Sequence, residues 1–244
     1  MKQLVNLKKA CAIALSVVLF GSCMKNEEPA PAVPGSRISV INAYSPLSGT
    51  QLRFVDQTLG TLRYSENSGA LFNTNLNDLT LTVLNQTTNQ ILIDKAPIRT
   101  AVDKYYSAYI YGKAIPAKFL LLNDTPDQST ETKTRIRFLN LGEGVEAVDL
   151  FIGGQKVETL SNRVPETQAN AVTSERFILS PRDAGAADII VKTLDGQELA
   201  KLASYDFRSN SYISIVLLGD KASTGESAEE KAKALKIGVF FSGQ

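Results

Sequence analysis

The stretch TRIRFLNLGEGVEAVDLFIGG, residues 134–154, decides the fold. Ile136 and Phe138 alternate with Arg135, Arg137 and Leu139, the period of two expected of a strand with one buried face. Gly142 and Gly144 interrupt the run, and Val148, Leu150 and Ile152 then resume the alternation against Asp149 and Phe151. Gly153-Gly154 closes it with a pair suited to a tight hairpin turn at positive φ. The stretch reads as strand, loop, strand, turn.

Its first part has an echo about a hundred residues earlier, and three further blocks recur in the same order. RISVINAYS at 37–45 matches RIRFLNLGE at 135–143, and LTLTVLNQTTNQILIDKAPI at 79–98 matches ADIIVKTLDGQELAKLASYD at 187–206. KYYSAYIYGK at 104–113 matches NSYISIVLLGD at 210–220, and KFLLLN at 118–123 matches KIGVFFS at 236–242. A repeat of this length, with some six or seven short strands per copy between Gly, Asn, Asp and Ser, predicts a duplicated antiparallel sandwich. The fold class is therefore all-β, as two tandem antiparallel sandwiches, for which an immunoglobulin-like or prealbumin-like form is the expectation.

The first sandwich spans 36–125, the linker 126–131 and the second sandwich 132–244. Each copy is expected to bury its own core, with Leu79, Leu81 and Val83 in the first and Ala187, Ile189 and Val191 in the second, and few contacts should cross the linker. The largest insertion is expected after Gly219, where ESAEEKAKALK at 226–236 places Glu229 four residues before Lys233 and predicts one short helix in the last connection of the second domain.

At the other end, Lys2, Lys8 and Lys9 precede an uncharged, mostly apolar run from Ala10 to Phe20 that ends at Gly21-Ser22-Cys23. That is the pattern of an export signal over 1–22, with about half of the roughly 20 apolar residues a membrane-spanning helix needs. The stretch LFGSC at 19–23 resembles the lipobox of bacterial lipoproteins, with Phe20 where leucine is usual, and the resemblance implies acylation of Cys23. Cys11 lies in the segment to be removed, so the mature chain has no second cysteine to pair with Cys23. Residues 23–35 carry Pro29, Pro31 and Pro34 and read as an extended tether. Glu27-Glu28 resembles the acidic export signal of Bacteroidetes lipoproteins, which implies a lipid-anchored outer-membrane protein exposed at the cell surface.

The repeat itself resembles a domain family of unknown function in secreted and lipid-anchored bacterial proteins. RFLNLGEGVEAVDLFIGG carries the likeness in the second copy, across about 135–220, and the first copy lacks a counterpart of Gly153-Gly154. The resemblance implies tandem immunoglobulin-like sandwiches and brings no activity or site residues.

Composition narrows the chemistry further. The chain has no histidine, which removes Ser-His-Asp and Cys-His catalysis and the commonest transition-metal ligand. Loss of residues 1–22 takes three lysines from 26 basic and 25 acidic side chains, leaving a net charge near −2 and no reason to expect nucleic acid as a partner. Glu143, Glu146 and Asp149 are the carboxylates that could work as a hydrolytic pair, although solvated loop and strand residues account for them. Asp124, Asp127 and Glu131 could offer oxygens to calcium, but their spacing is that of a linker. Tyr105, Tyr109 and Tyr111 share one face of a strand and Tyr106 the other; they serve either as sandwich core or as a sugar-stacking platform.

These residues predict a non-enzymatic surface lipoprotein with no cofactor or metal, a structural or adhesion module attached to the membrane through its N-terminal lipid. Alternatives are a glycan-binding accessory of a nutrient-uptake system, with Tyr105, Tyr109, Tyr111, Glu143 and Glu146 as its candidate binding residues, and a subunit of a surface fibre. A glycan or another surface protein is the candidate partner.

Overall fold

The computed structural model describes residues 34–45, 49–55, 57–74, 79–126, 131–170, 173, 175–223 and 225–242. The leader, Cys23 and nearly all of the tether lie outside these residues, as do Asp127 and much of the linker. Among the described residues no helix is long and apolar enough to cross a membrane.

The stretch 134–154 forms the strand, loop, strand and turn that its pattern predicts, but its first strand is buried on both faces. Arg135–Asn140 and Val148–Ile152 are strands, and Ile152 pairs with Gln155 across Gly153 and Gly154, both at positive φ (58° and 80°). The first copy has the same hairpin without the glycines. Phe54 pairs with Gln57, and Val55 takes the turn at a φ of 54°, a conformation β-branched residues rarely adopt.

Among the described residues each copy contains eight strands, one or two more than the sequence predicts. The first has β1 (Ser36–Tyr44), β2 (Thr50–Phe54), β3 (Gln57–Leu62), β4 (Asn67–Asn73), β5 (Leu79–Asn85), β6 (Ile91–Ile98), β7 (Tyr105–Gly112) and β8 (Lys118–Asn123). The second has β9 (Arg135–Asn140), β10 (Val148–Ile152), β11 (Gln155–Lys156), β12 (Ile178–Leu179), β13 (Gly185–Thr193), β14 (Glu198–Phe207), β15 (Tyr212–Leu218) and β16 (Lys236–Phe241). Sheet orders β3-β2-β5-β6 and β4-β1-β7-β8 recur as β11-β10-β13-β14 and β12-β9-β15-β16, so the duplication extends to topology. The sandwiches are not wholly antiparallel, because β1 pairs with β7, and β9 with β15, in parallel.

Each sandwich closes over a core of its own. Leu52, Leu79, Leu81, Val83 and Ile98 fill the first, and Leu150, Ile152, Ala187, Ile189 and Val191 the second. The asparagine shared by the repeated strands is buried in both. Asn42 Nδ2 donates to the Leu62 carbonyl (3.2 Å), and Asn140 Nδ2 donates to those of Glu146 (2.9 Å) and Arg163 (3.1 Å), so each buried NH2 group finds a main-chain acceptor.

A third core departs from the expectation that few contacts join the halves. Ile41, Tyr109, Tyr111, Leu120 and Leu122 of the first copy pack against Leu139, Leu141, Val216, Leu218 and Phe240 of the second. The sheet β4-β1-β7-β8 thus lies face to face with β12-β9-β15-β16, and four sheets stack around three cores. Residues 34–244 form one compact unit. The physical reason is that both inner sheets are apolar on both faces, so Leu139, expected to face solvent, is fully buried.

The expected helix is present as α1 (Ala228–Lys233), with the Ser227 hydroxyl accepting from the Glu230 amide (3.1 Å) and Lys233 paired to Glu229. A longer insertion lies elsewhere. The connection from third to fourth strand is 63–66 in the first copy and 157–177 in the second.

Candidate functional site

The seam between the sandwiches is apolar at one end and polar at the other, and the parallel pairings dictate what stands at the polar end. Register puts Arg37 beside Tyr105 and Arg135 beside Tyr212, and one step inward it puts Ser39 beside Ser107 and Arg137 beside Ser214. The outer arginines stack alike in the two copies, each guanidinium carbon 5.2 Å from the centre of its tyrosine ring.

Arg137 has no arginine counterpart, because Ser39 occupies its place in the first copy. It is 0% exposed and gathers partners from both sandwiches. Its guanidinium lies 2.5 Å from Asp124 Oδ1, donates through Nε to Ser214 (2.7 Å) and through Nη2 to the Tyr109 hydroxyl (3.4 Å), and sits 4.8 Å from the Phe177 ring centre. The other Asp124 oxygen accepts from the Ser107 hydroxyl, and Ser214 hydrogen-bonds Ser242 (2.9 Å). Burial works against the charge of Arg137, but Asp124 and Tyr109 outweigh it and hold the guanidinium pKa above its ordinary value. The same burial pushes the Tyr109 phenol upward.

Above this buried cluster the seam opens into a cleft of about 360 Å³, lined by Arg37, Ser39, Asn67, Tyr105 and Asp124 from the first copy and Phe241 from the second. Arg37 is exposed and donates to the Tyr105 hydroxyl (3.1 Å). Phe241 is 41% exposed, a large apolar surface at the rim.

The residues selected from sequence do not converge. Tyr105 lines the cleft, but Tyr109 (0% exposed) and Tyr111 (3%) are core, which removes a three-ring exposed platform. Their strand is covered on both faces: Tyr109 meets Phe240 edge to face at 6.4 Å, and the Tyr111 hydroxyl donates to the Glu166 carbonyl (2.9 Å). Burial, aided by Glu166 and Glu143, pushes the Tyr111 phenol up to about 12. Tyr106 packs against the core of the first sandwich, and its hydroxyl accepts from the Ala101 amide (3.0 Å).

The carboxylates go three ways. Glu143 pairs with Lys118 across the seam (2.7 Å), and Asp149 pairs with Lys156 (2.8 Å) and accepts from the Asn162 amide (2.9 Å). Glu146 lines a separate hollow of about 340 Å³ beside Asp195 and Lys221. Glu143, Glu146 and Asp149 therefore do not form a hydrolytic pair. Asp124 is committed to Arg137 and Ser107 rather than to a cation, and among the described residues no three Cys, Asp or Glu side chains converge on a metal position.

Arg37, Arg137 and Phe241 escaped the sequence reading as site residues. The available clue was the repeat, which places Arg37 and Arg135 at one position and leaves Arg137 as an extra arginine where the first copy has Ser39. What the cleft presents is a guanidinium fork, two aromatic faces and short polar side chains. That set can hold a ligand through charge-assisted hydrogen bonds and ring contacts. Comparison of the chain with protein-family models and with curated proteins finds no match.

Proposed function

We propose that this protein is a non-enzymatic surface lipoprotein, attached to the outer membrane through acylated Cys23, in which the joined sandwiches act as a stiff structural or adhesion module at the end of a proline-rich tether. The observation that carries the reading is the use to which the charged and aromatic residues of the seam are put. Arg137–Asp124 and Lys118–Glu143 each join one sandwich to the other. Lys113–Asp220 (2.9 Å) does the same, and Tyr109 and Tyr111 fill the core between them. Residues that could do chemistry are committed to rigidity, as a stiff spacer or presenting platform requires. Palmitate labelling that disappears in Cys23→Ala, with release of that variant from the membrane fraction, is the expected result; unchanged fractionation would remove the anchor.

The cleft beside Tyr105 favours a second reading, a glycan-binding accessory role. A glycan array probed with the mature chain is its test. Blank results across the array would remove it.

A further inference from the structure

The two copies treat the same arginine–tyrosine pair differently. In the second copy Arg135 is buried and its Nη1 donates to the Glu131 carbonyl (3.2 Å). Phe177, from the long 157–177 connection, packs edge to face on Tyr212 at 5.3 Å. In the first copy the matching connection is the short 63–66, and among the described residues no ring from it covers Arg37 and Tyr105 as Phe177 covers their counterparts. Among the described residues Arg37 has no carboxylate partner, and it faces the 360 Å³ cleft. One copy of a duplicated feature is built into the structure while the other is left open.

We infer that this cleft binds a small carboxylate-bearing ring, of the size of one acidic monosaccharide, with the carboxylate on the Arg37 guanidinium and the ring face against Tyr105 and Phe241. The assignment rests on the glycan-binding reading for its biological ligand and on the cleft alone for its chemistry. Charge supports an anion, because Asp124 is neutralised by Arg137 at 2.5 Å and the remaining formal charge among the lining residues is that of Arg37. A guanidinium offers a planar two-pronged donor that matches a carboxylate. Ring faces at Tyr105 and Phe241 suit the apolar side of a pyranose or an arene. The Asn67 side-chain oxygen Oδ1 accepts from the Gly69 amide (3.1 Å), which leaves its NH2 group, with the Ser39 hydroxyl, to meet ring hydroxyls. A volume of about 360 Å³ falls at the small end of ligand pockets.

The test is titration calorimetry on the full mature chain carrying Cys23→Ser, with galacturonate, glucose and benzoate as probes. Galacturonate should bind, glucose should not, and Arg37→Gln should weaken binding by about tenfold or more, as loss of a charge-assisted contact does. Arg37→Lys should restore only part of the affinity, and Phe241→Ala, at an exposed position, should weaken it without touching the charge. Benzoate binding that depends on Arg37, with no binding of galacturonate, would sustain the carboxylate site while removing the glycan reading. Glycans bound equally well by Arg37→Gln would overturn the inference and leave that reading standing. Glucose binding as tightly as galacturonate, or no probe binding at all, would overturn it.

Discussion

Arg137 holds a charge where water cannot reach it, and its neighbours decide whether that is tolerable. A buried ion pair is weak evidence of net stabilisation, but removing one partner strands the other at a cost of about 3–5 kcal/mol. Arg137→Met should therefore destabilise the chain by roughly that amount, since the buried Asp124 carboxylate would be left with the Ser107 hydroxyl as its partner. Asp124→Leu alone should cost a similar amount, and the double variant should recover much of it. Urea unfolding of the three variants measures the cycle, and additive losses would mean that the two side chains do not act as a pair.

A second seam pair titrates within reach. Burial alone would raise the Asp220 pKa, but Lys113 and the Ala222 amide outweigh it and depress it, while Asp220 raises that of Lys113. A depressed carboxylate contributes stability above its unfolded pKa of about 3.9 and loses it as pH falls through the folded value. A raised lysine contributes below about 10.4 and loses it as pH climbs through the folded value. The stability difference between wild type and Asp220→Asn should thus be flat between about pH 5 and 9 and close at both extremes. A gap unchanged at pH 3 would show that the pair is not its source.

At the scale of elements, the duplication supplies its own controls. Gly112 and Gly219 end equivalent strands, at φ of 94° and 110°. A Cβ at 219 would lie 2.4 Å from the Ala234 carbonyl oxygen, a backbone atom held behind α1, whereas at 112 it would first meet the Glu143 side chain at 3.3 Å. Gly219→Ala should cost about 2–4 kcal/mol and Gly112→Ala about 1–2, by thermal or urea unfolding. Equal costs would mean that backbone strain, and not the contact with Ala234, dominates both.

The edge strand β8 offers another case. Gln168 lies against it as a substitute strand, its side-chain oxygen accepting from the Leu121 amide (3.0 Å) and its NH2 donating to the Leu121 carbonyl (3.5 Å), and Glu175 accepts from the Asn123 amide (3.2 Å). Unpaired edges invite association with other chains, so this cover acts against it.

Sequence pattern carried the strands because alternation is a local property. Ile136 and Phe138 face the inner core as predicted, and the repeat correctly matched β5 with β13 and β7 with β15. It could not say what the other face meets. Arg135 and Arg137 look solvent-directed because arginine is seldom buried, and for Arg137 it is partners outside its own strand, Asp124 and Ser214, that make burial possible. One local clue to the seam was present: ISIVLL at 213–218 and FLLL at 119–122 are nearly continuous apolar runs, the mark of strands covered on both sides. Tyr109 and Tyr111 belong to the same pattern, and their hydroxyls disguise it.

For the whole molecule, the shared core decides how it unfolds. Separating the sandwiches would expose Ile41, Leu120, Leu122, Leu139, Leu141, Val216 and Leu218 together with three aromatic rings. At about 1.5–3 kcal/mol for each fully buried large apolar side chain, even partial exposure costs on the order of 10 kcal/mol, comparable to the entire stability of an ordinary domain. The two repeats should accordingly melt in one transition, despite having cores of their own. Cutting a protease site inserted within 127–130 removes the covalent link but leaves this surface buried, so the nicked halves should co-elute on size exclusion under native conditions. Leu139→Asp places a charge in the middle of the shared core without touching either sandwich interior; it should split the melt into two steps and let the nicked halves separate. Nicked wild-type halves that part freely at micromolar concentration would show that the seam contributes little, and that each sandwich stands alone.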